Sequence, residues 1–414
     1  TSPAVASVRS TERTRRCGGA LLYCGSDECH NVQGTLGEGS SSNHALTNRK
    51  KGRNMERENK AENRIAVVTD SAAALDPELV QRLSARGNFM LVPMPVTIRT
   101  PGEPDRQLQD LTAAEVDEAI MLAHVMGQTV STSGPAPGVF ADVYDELASR
   151  GFTHVVSVHL SGELSGTVEA ARTGARLSRL GSKGVSVVDS RTVAGAYGHA
   201  VVRALEVLNS ASAGLRVENP NPEYPTPDYP SPDYPTAAQL VDYIQSVCEQ
   251  STLYFYIPTL DALRRGGRVS PALAMVGQMF QIKPIGTITE GKLAYVERPR
   301  TAARALERLV EVTVQTCREH QHAAALSSAS VGSAAADPAS SSLAASPRGE
   351  VVAVHHVGNA AQAVQLYEQV QQMLGESSLV HDAAASSAPE FLVSALPPVL
   401  SAHSGLGAVA LVVY

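Results

Sequence analysis

The chain's apolar residues follow two rhythms. In its first half, short β-branched runs (Ile65–Val68, Leu91–Ile98, Thr153–Val158, Val185–Val188) alternate with stretches whose apolar residues recur three and four positions apart. The latter predict helices over Leu75–Leu83, Ala113–His124, a segment ending near Leu177, and Val193–Leu208. Strands that read as continuous apolar runs between helices imply a parallel sheet covered on both faces. From residue 237 the pattern changes. It predicts helices over Ala237–Glu249, Leu260–Arg265, Pro271–Phe280, Thr301–Cys317 and Ala360–Leu374. Strands are expected at Leu253–Ile257, Ile282–Ile288, Leu293–Val296, Val351–His355 and Ala408–Val413. Glu290-Gly291-Lys292 has the composition of a hairpin tip. The fold class is therefore α/β in two domains. Residues 64–215 form an α/β/α domain on a parallel sheet, and residues 237–414 an α+β domain with a mixed sheet.

Three stretches fall outside this scheme. Residues 1–60 show no sustained apolar period and read as a disordered tail. The first Met is Met55, so the functional chain is expected to begin near it. Residues 216–236 repeat Tyr-Pro units (Tyr224-Pro225, Tyr229-Pro230, Tyr234-Pro235), which favour an extended linker. A solvated spacer explains them more simply than a partner-recruiting repeat. Residues 323–348 are almost all Ala and Ser and read as a disordered insertion.

Composition narrows the function classes. Net charge is -7 and Trp is absent, which argues against nucleic-acid binding. The tail carries ten Lys/Arg against six Asp/Glu, which leaves the remainder near -11. No run of about 18 apolar residues suggests an integral membrane segment, and no signal pattern precedes the first strand, so the expected location is cytoplasmic. Of the five Cys, three (Cys17, Cys24, Cys29) crowd the tail. With His30 they hint at zinc, but the spacing fits no common site, and free thiols are the expectation. No metal or cofactor is implied. Ser165 lies in Gly162-Glu163-Leu164-Ser165-Gly166, which is not the spacing of a hydrolase nucleophile, and phosphate-binding glycine loops are absent. His355 and His356 are adjacent, so a strand points them to opposite faces.

The chemistry concentrates in three polar turns: Ser131-Thr132-Ser133-Gly134-Pro135, Leu164-Ser165-Gly166-Thr167 and His403-Ser404-Gly405. Hydroxyls at helix entrances, beside unpaired N–H groups, favour an anionic oxygen. Ordinary capping explains each turn singly, but the three together suggest more. Asp70-Ser71 and Asp189-Ser190 end two strands, where they are either ligand contacts or Asx caps. Arg268, after Gly266-Gly267, suits a carboxylate or phosphate. Met275 and Met279 on the Pro271–Phe280 helix suit an apolar tunnel.

In this order the turns, with Ile65–Ser71, Gly266-Gly267-Arg268-Val269, Ile282-Lys283-Pro284-Ile285 and Glu290-Gly291-Lys292, resemble the DegV family of fatty-acid-binding proteins. The resemblance covers about residues 64–414 apart from the insertions. It implies a DegV-like two-domain fold with a C-terminal lipid-binding domain, which takes up a long-chain fatty acid in the crevice between the domains without catalysis. The carboxylate would lie on Thr132 and Ser165, with Gly166, His403 and Ser404 nearby. A separate fatty acid kinase would be the partner, with Arg268 serving that partner or the phosphate. Gly134, Ala136, Val168 and Leu406 depart from the common pattern. The alternative is a small-molecule enzyme, of acyl or phosphoryl transfer, that uses the same interdomain crevice.

Overall fold

The computed structural model describes residues 64–108, 113–213, 235–260, 263–264, 267, 282–331, 351–375 and 393–414. The expectations for the tail, for most of the Tyr-Pro linker, for Arg268 and for the Pro271–Phe280 helix lie outside the described residues.

The first half opens with β1 (Ile65–Asp70) and α1 (Pro77–Ser84), where Asp76 caps the helix by accepting from Glu78 N–H. There follow β2 (Phe89–Val92), β3 (Val96–Arg99), the short β4 (Arg106–Gln107), α2 (Ala113–Val125) and β5 (Thr129–Thr132). Then come α3 (Pro137–Ser149), β6 (His154–His159), α4 (Thr167–Leu177), β7 (Val185–Asp189) and α5 (Gly195–Ala213). Strands in the order β2-β1-β6-β7 form one sheet, parallel throughout.

One predicted strand divides. Leu91–Ile98 breaks at Pro93 and Pro95, which lack the N–H a ladder needs. The part before the break joins the parallel sheet. The part after it pairs antiparallel in a separate sheet, β4-β3-β5.

The second half comprises α6 (Ala237–Gln250), β8 (Thr252–Tyr256), β9 (Ile285–Thr289), β10 (Lys292–Glu297), α7 (Ala302–Val331), β11 (Val351–His356), α8 (Ala360–Leu374), β12 (Val393–Ala395), α9 (Pro398–Ser404) and β13 (Val409–Val413). Thr236 and Gln239 close a reciprocal capping box at the start of α6. The sheet runs β10-β9-β8-β13-β11-β12. It is antiparallel except for the β11–β12 pair, and therefore mixed as expected. The β9–β10 turn holds Glu290 at φ 50° and Gly291 at φ 81°, the left-handed pair of a tight hairpin. The helix predicted to stop at Cys317 continues to Val331, into the Ala/Ser stretch read as disordered. Alanine is the strongest helix former, so that composition propagates a helix already nucleated.

The layers follow from which strand face meets which helix. Ala66 and Val68 of β1 pack with Phe140, Tyr144 and Leu147 of α3 and Ala171 of α4. Ile65 and Val67, on the opposite face, pack with Tyr197, Val201 and Leu205 of α5 and Leu240 and Ile244 of α6. The same core reaches Leu253, Ala410 and Val412 of the mixed sheet, so α5 and α6 form a layer between two sheets. On the far face, Val409, Leu411 and Val413 meet Leu309 and Val314 of α7 and Leu366 and Val370 of α8. The small sheet and α2 dock on α9.

Candidate functional site

The loops at the C-terminal ends of β2, β6 and β7 face the inner side of the mixed sheet, and an apolar cavity of about 120 Å³ lies between them. Its floor is formed by Leu253 and Phe255 of β8 and Ala410 of β13. Its roof includes Met94, Leu160, Val193 and Leu400. Four of its lining residues carry polar side chains: Thr132, Ser165, His403 and Ser404. All four are among the residues singled out in the sequence.

Each of these residues is held by local structure. Thr132 ends β5, and its Oγ1 lies 2.7 Å from His403 Nε2. Ser165 Oγ lies 2.8 Å from Thr167 Oγ1 and accepts from Thr167 N–H at the first turn of α4. Thr167 in turn abuts the Thr132 turn, because a Cβ on Gly134 would stand 3.3 Å from its hydroxyl. His403 and Ser404 sit in the last turn of α9, an element the sequence showed only as a polar turn. The Ser404 hydroxyl donates back to Leu400 C=O at 3.0 Å, which commits its proton within α9. Gly166 is exposed at the N-cap of α4 and is not part of the lining.

The strand-end aspartates act as caps. Asp189 Oδ1 accepts from Gly162 and Arg191 N–H, which fixes the turn that bears Ser165. Ser71 Oγ accepts from Met94 N–H. Asp70 is fully buried and accepts four hydrogen bonds: from Ala72 N–H (2.9 Å), Tyr197 O–H (2.7 Å), His159 Nδ1 (2.9 Å) and Leu160 N–H (3.3 Å). His159 Nε2 lies 2.7 Å from Ser157 Oγ, which lies 2.8 Å from the Tyr144 hydroxyl. Ser157, His159 and Asp70 thus have the contacts of a nucleophile–base–acid set, but all three are fully buried, with Phe140 edge-on to the imidazole at 5.0 Å. Burial pushes the Tyr144 and Tyr197 hydroxyls well above their ordinary range, and Asp70 adds to the effect at Tyr197. The network spans from α3 through the sheet to α5 and pins Leu160, a roof residue. Sequence reasoning missed it because its pairs are separated by up to 127 positions.

His355 and His356 diverge as expected. His355 is buried against α5 and accepts from Gly195 N–H at 3.1 Å, while its Nδ1 meets Ser394 Oγ at 3.0 Å. Burial, and secondarily His356, hold its pKa down to about 4. Among the described residues no cluster of three His, Cys, Asp or Glu could hold a metal. No described helix is long and apolar enough to cross a membrane.

Residues 64–214 and 235–368 match the model of the "uncharacterised protein, DegV family". The chain belongs to the DegV family. A DegV domain-containing protein of Streptomyces coelicolor is 32% identical over 248 residues, which are 60% of this chain and 75% of that protein. One from Staphylococcus aureus is 24% identical over 348 residues, 84% of this chain and 97% of that one. Among solved structures, a Thermus thermophilus DegV family protein described as fatty acid binding superposes with a TM-score of 0.57. It has 23% identity and covers 85% of this chain and 99% of that one. The Bacillus subtilis DegV, described as a fatty acid binding protein, gives 0.58 at 21% identity, over 84% of this chain and 98% of that one. These similarities establish the DegV fold with its parallel and mixed sheets.

Proposed function

We propose that this DegV protein binds a long-chain fatty acid without catalysis, with the carboxylate on Thr132 and Ser165 and the tail in the apolar cavity. The observation that carries this reading is the cavity's lining. Its described walls are hydrocarbon except for Thr132, Ser165, His403 and Ser404. If His403 Nε2–H donates to Thr132 Oγ1, the Thr132 hydroxyl proton is free to turn to the acid. Each methylene that enters the cavity would contribute about 0.8 kcal/mol gross. Neutral donors would offset the several kcal/mol that desolvating a carboxylate costs. The solved DegV relatives described as fatty acid binding support the same ligand class. The proposal includes a cytoplasmic carrier that hands its acid to a separate fatty acid kinase, a step suggested by the family resemblance.

The enzyme alternative has one observation in its favour, the Ser157–His159–Asp70 geometry. Full burial of Ser157 leaves no room for an acyl or phosphoryl group beside it, so the site is read as a binding site. Titration calorimetry with palmitate tests the proposal. The wild type should bind, and Thr132→Ala/Ser165→Ala should bind far more weakly. Equal affinities would place the head group elsewhere.

A further inference from the structure

The inner face of the mixed sheet carries one row of directly paired residues: Tyr295, Gly286, Phe255, Ala410, His355 and Ser394. Directly paired residues share a face, so large and small side chains alternate across the sheet. Phe255 and Ala410 line the cavity, and Phe255 is the bulkiest apolar group on its floor. Its ring leans toward β9. A Cβ built on Gly286 would fall inside the van der Waals surface of that ring. Gly286 is therefore the recess into which the ring folds, and Ala410, the small residue on the ring's other side, lines the cavity. Against small-molecule pockets, which run roughly 300–1,000 Å³, a cavity of about 120 Å³ is small. Its bore at this row depends on where the Phe255 ring lies.

We infer that Phe255, parked over Gly286, is the specificity-determining residue that restricts the channel to straight, unbranched acyl chains passing over Ala410. This rests on the fatty-acid reading and deepens it. A methyl at position 286 would push the ring toward Ala410 and narrow the passage. A smaller residue at 255 would widen it at the level where a branched chain is stopped. Overpacked sites yield with difficulty because interiors are already close-packed.

The test compares palmitic acid with a hexadecanoic acid methylated on every fourth carbon, so that a branch meets the row wherever the tail sits. Affinities are measured by displacement of a fluorescent fatty acid. The wild type should prefer the straight acid by about tenfold or more, the size of one lost close contact. Phe255→Ala should bring the two acids to within about threefold, with Phe255→Leu between, a variant that keeps the strand apolar should alanine unfold it. Gly286→Ala should weaken palmitic acid by about tenfold, and adding Phe255→Leu should restore it. Unchanged preference in the folded Phe255 variants overturns the inference and leaves fatty-acid carriage standing. A wild type that binds neither acid overturns both.

Discussion

Thr132 and His403 are separated by 271 positions in sequence, yet their hydroxyl and imidazole nitrogen meet at 2.7 Å. The contact joins the small β4-β3-β5 sheet to α9 and places both side chains on the cavity wall. It is the link between the two halves of the proposed head-group site.

That link should be measurable. Thr132→Ala and His403→Ala should each weaken fatty-acid binding, by about tenfold to a hundredfold for a hydrogen bond to a charged group. Because the two share one hydrogen bond, the double variant should lose less than the product of the single losses. A double-mutant cycle on the dissociation constants reads this coupling. Strict additivity would show that the pair does not act together on the ligand.

Stability should hinge on the buried carboxylate. Asp70→Ala orphans Tyr197 O–H, His159 and two backbone N–H groups at once. It should cost about 3–5 kcal/mol, because several fully buried donors lose their acceptor together. Tyr197→Phe removes one of the four donors and should cost about 1.5–3 kcal/mol. Urea denaturation checks the order Asp70→Ala, then Tyr197→Phe, then wild type.

Much of this architecture was legible in the sequence, and the exceptions have physical causes. Strand β1 declares itself because Ile65–Val68 is apolar on both faces, as a central parallel strand must be. The same property hides which face points where. Nothing in Leu253–Ile257 announces that Phe255 looks into a cavity while Tyr256 packs with Leu309. Helix α9 spans Pro398–Ser404, too short to express a helical period, so its His and Ser showed only as a turn. The three polar turns were found because hydroxyls and glycines are local signals. The Asp70 network, assembled from distant pairs, leaves none. Arg268, the remaining candidate, lies outside the described residues.

Acid should weaken the fold between pH 6.5 and about 4. His355 titrates at 6.5 when unfolded but is held to about 4 when folded, by burial and then by His356. Protonating Nε2 would also set a new N–H against the Gly195 N–H it now accepts. Below 6.5 the unfolded chain binds the extra proton, so stability is full above that pH and falls as pH drops toward 4. For this one side chain the loss is about 3 kcal/mol. His199 is depressed to about 4 by burial and then by Arg203, and adds in the same direction. Urea titrations at several pH values should show a shallower slope in His355→Gln than in wild type. An identical slope would contradict this assignment.

The β9–β10 hairpin is fastened to the Ser165 turn at its tip. The Ser161 hydroxyl donates to Gly291 C=O at 2.7 Å in a buried contact, and Lys292 lies 3.5 Å from Glu163 at the surface. Exposed ion pairs contribute about 0–1 kcal/mol, so Lys292→Ala should leave ligand release nearly unchanged. Ser161→Ala removes the buried bond, frees a hairpin that carries cavity residues Ile288 and Leu293, and should speed release severalfold. Gly291→Ala should do more, because φ is 81° there and a Cβ would collide with the Ser161 hydroxyl. Stopped-flow displacement of a fluorescent fatty acid gives all three rates.

The central claim is that the slot beside Thr132, Ser165 and His403 holds a fatty acid. Mass spectrometry of the organic extract of the purified, full-length protein tests it most directly. The account predicts a long-chain fatty acid in near-stoichiometric amount from the wild type and little from Thr132→Ala/Ser165→Ala. A wild-type extract with no such acid, from protein that also fails to take up added palmitate, would contradict it.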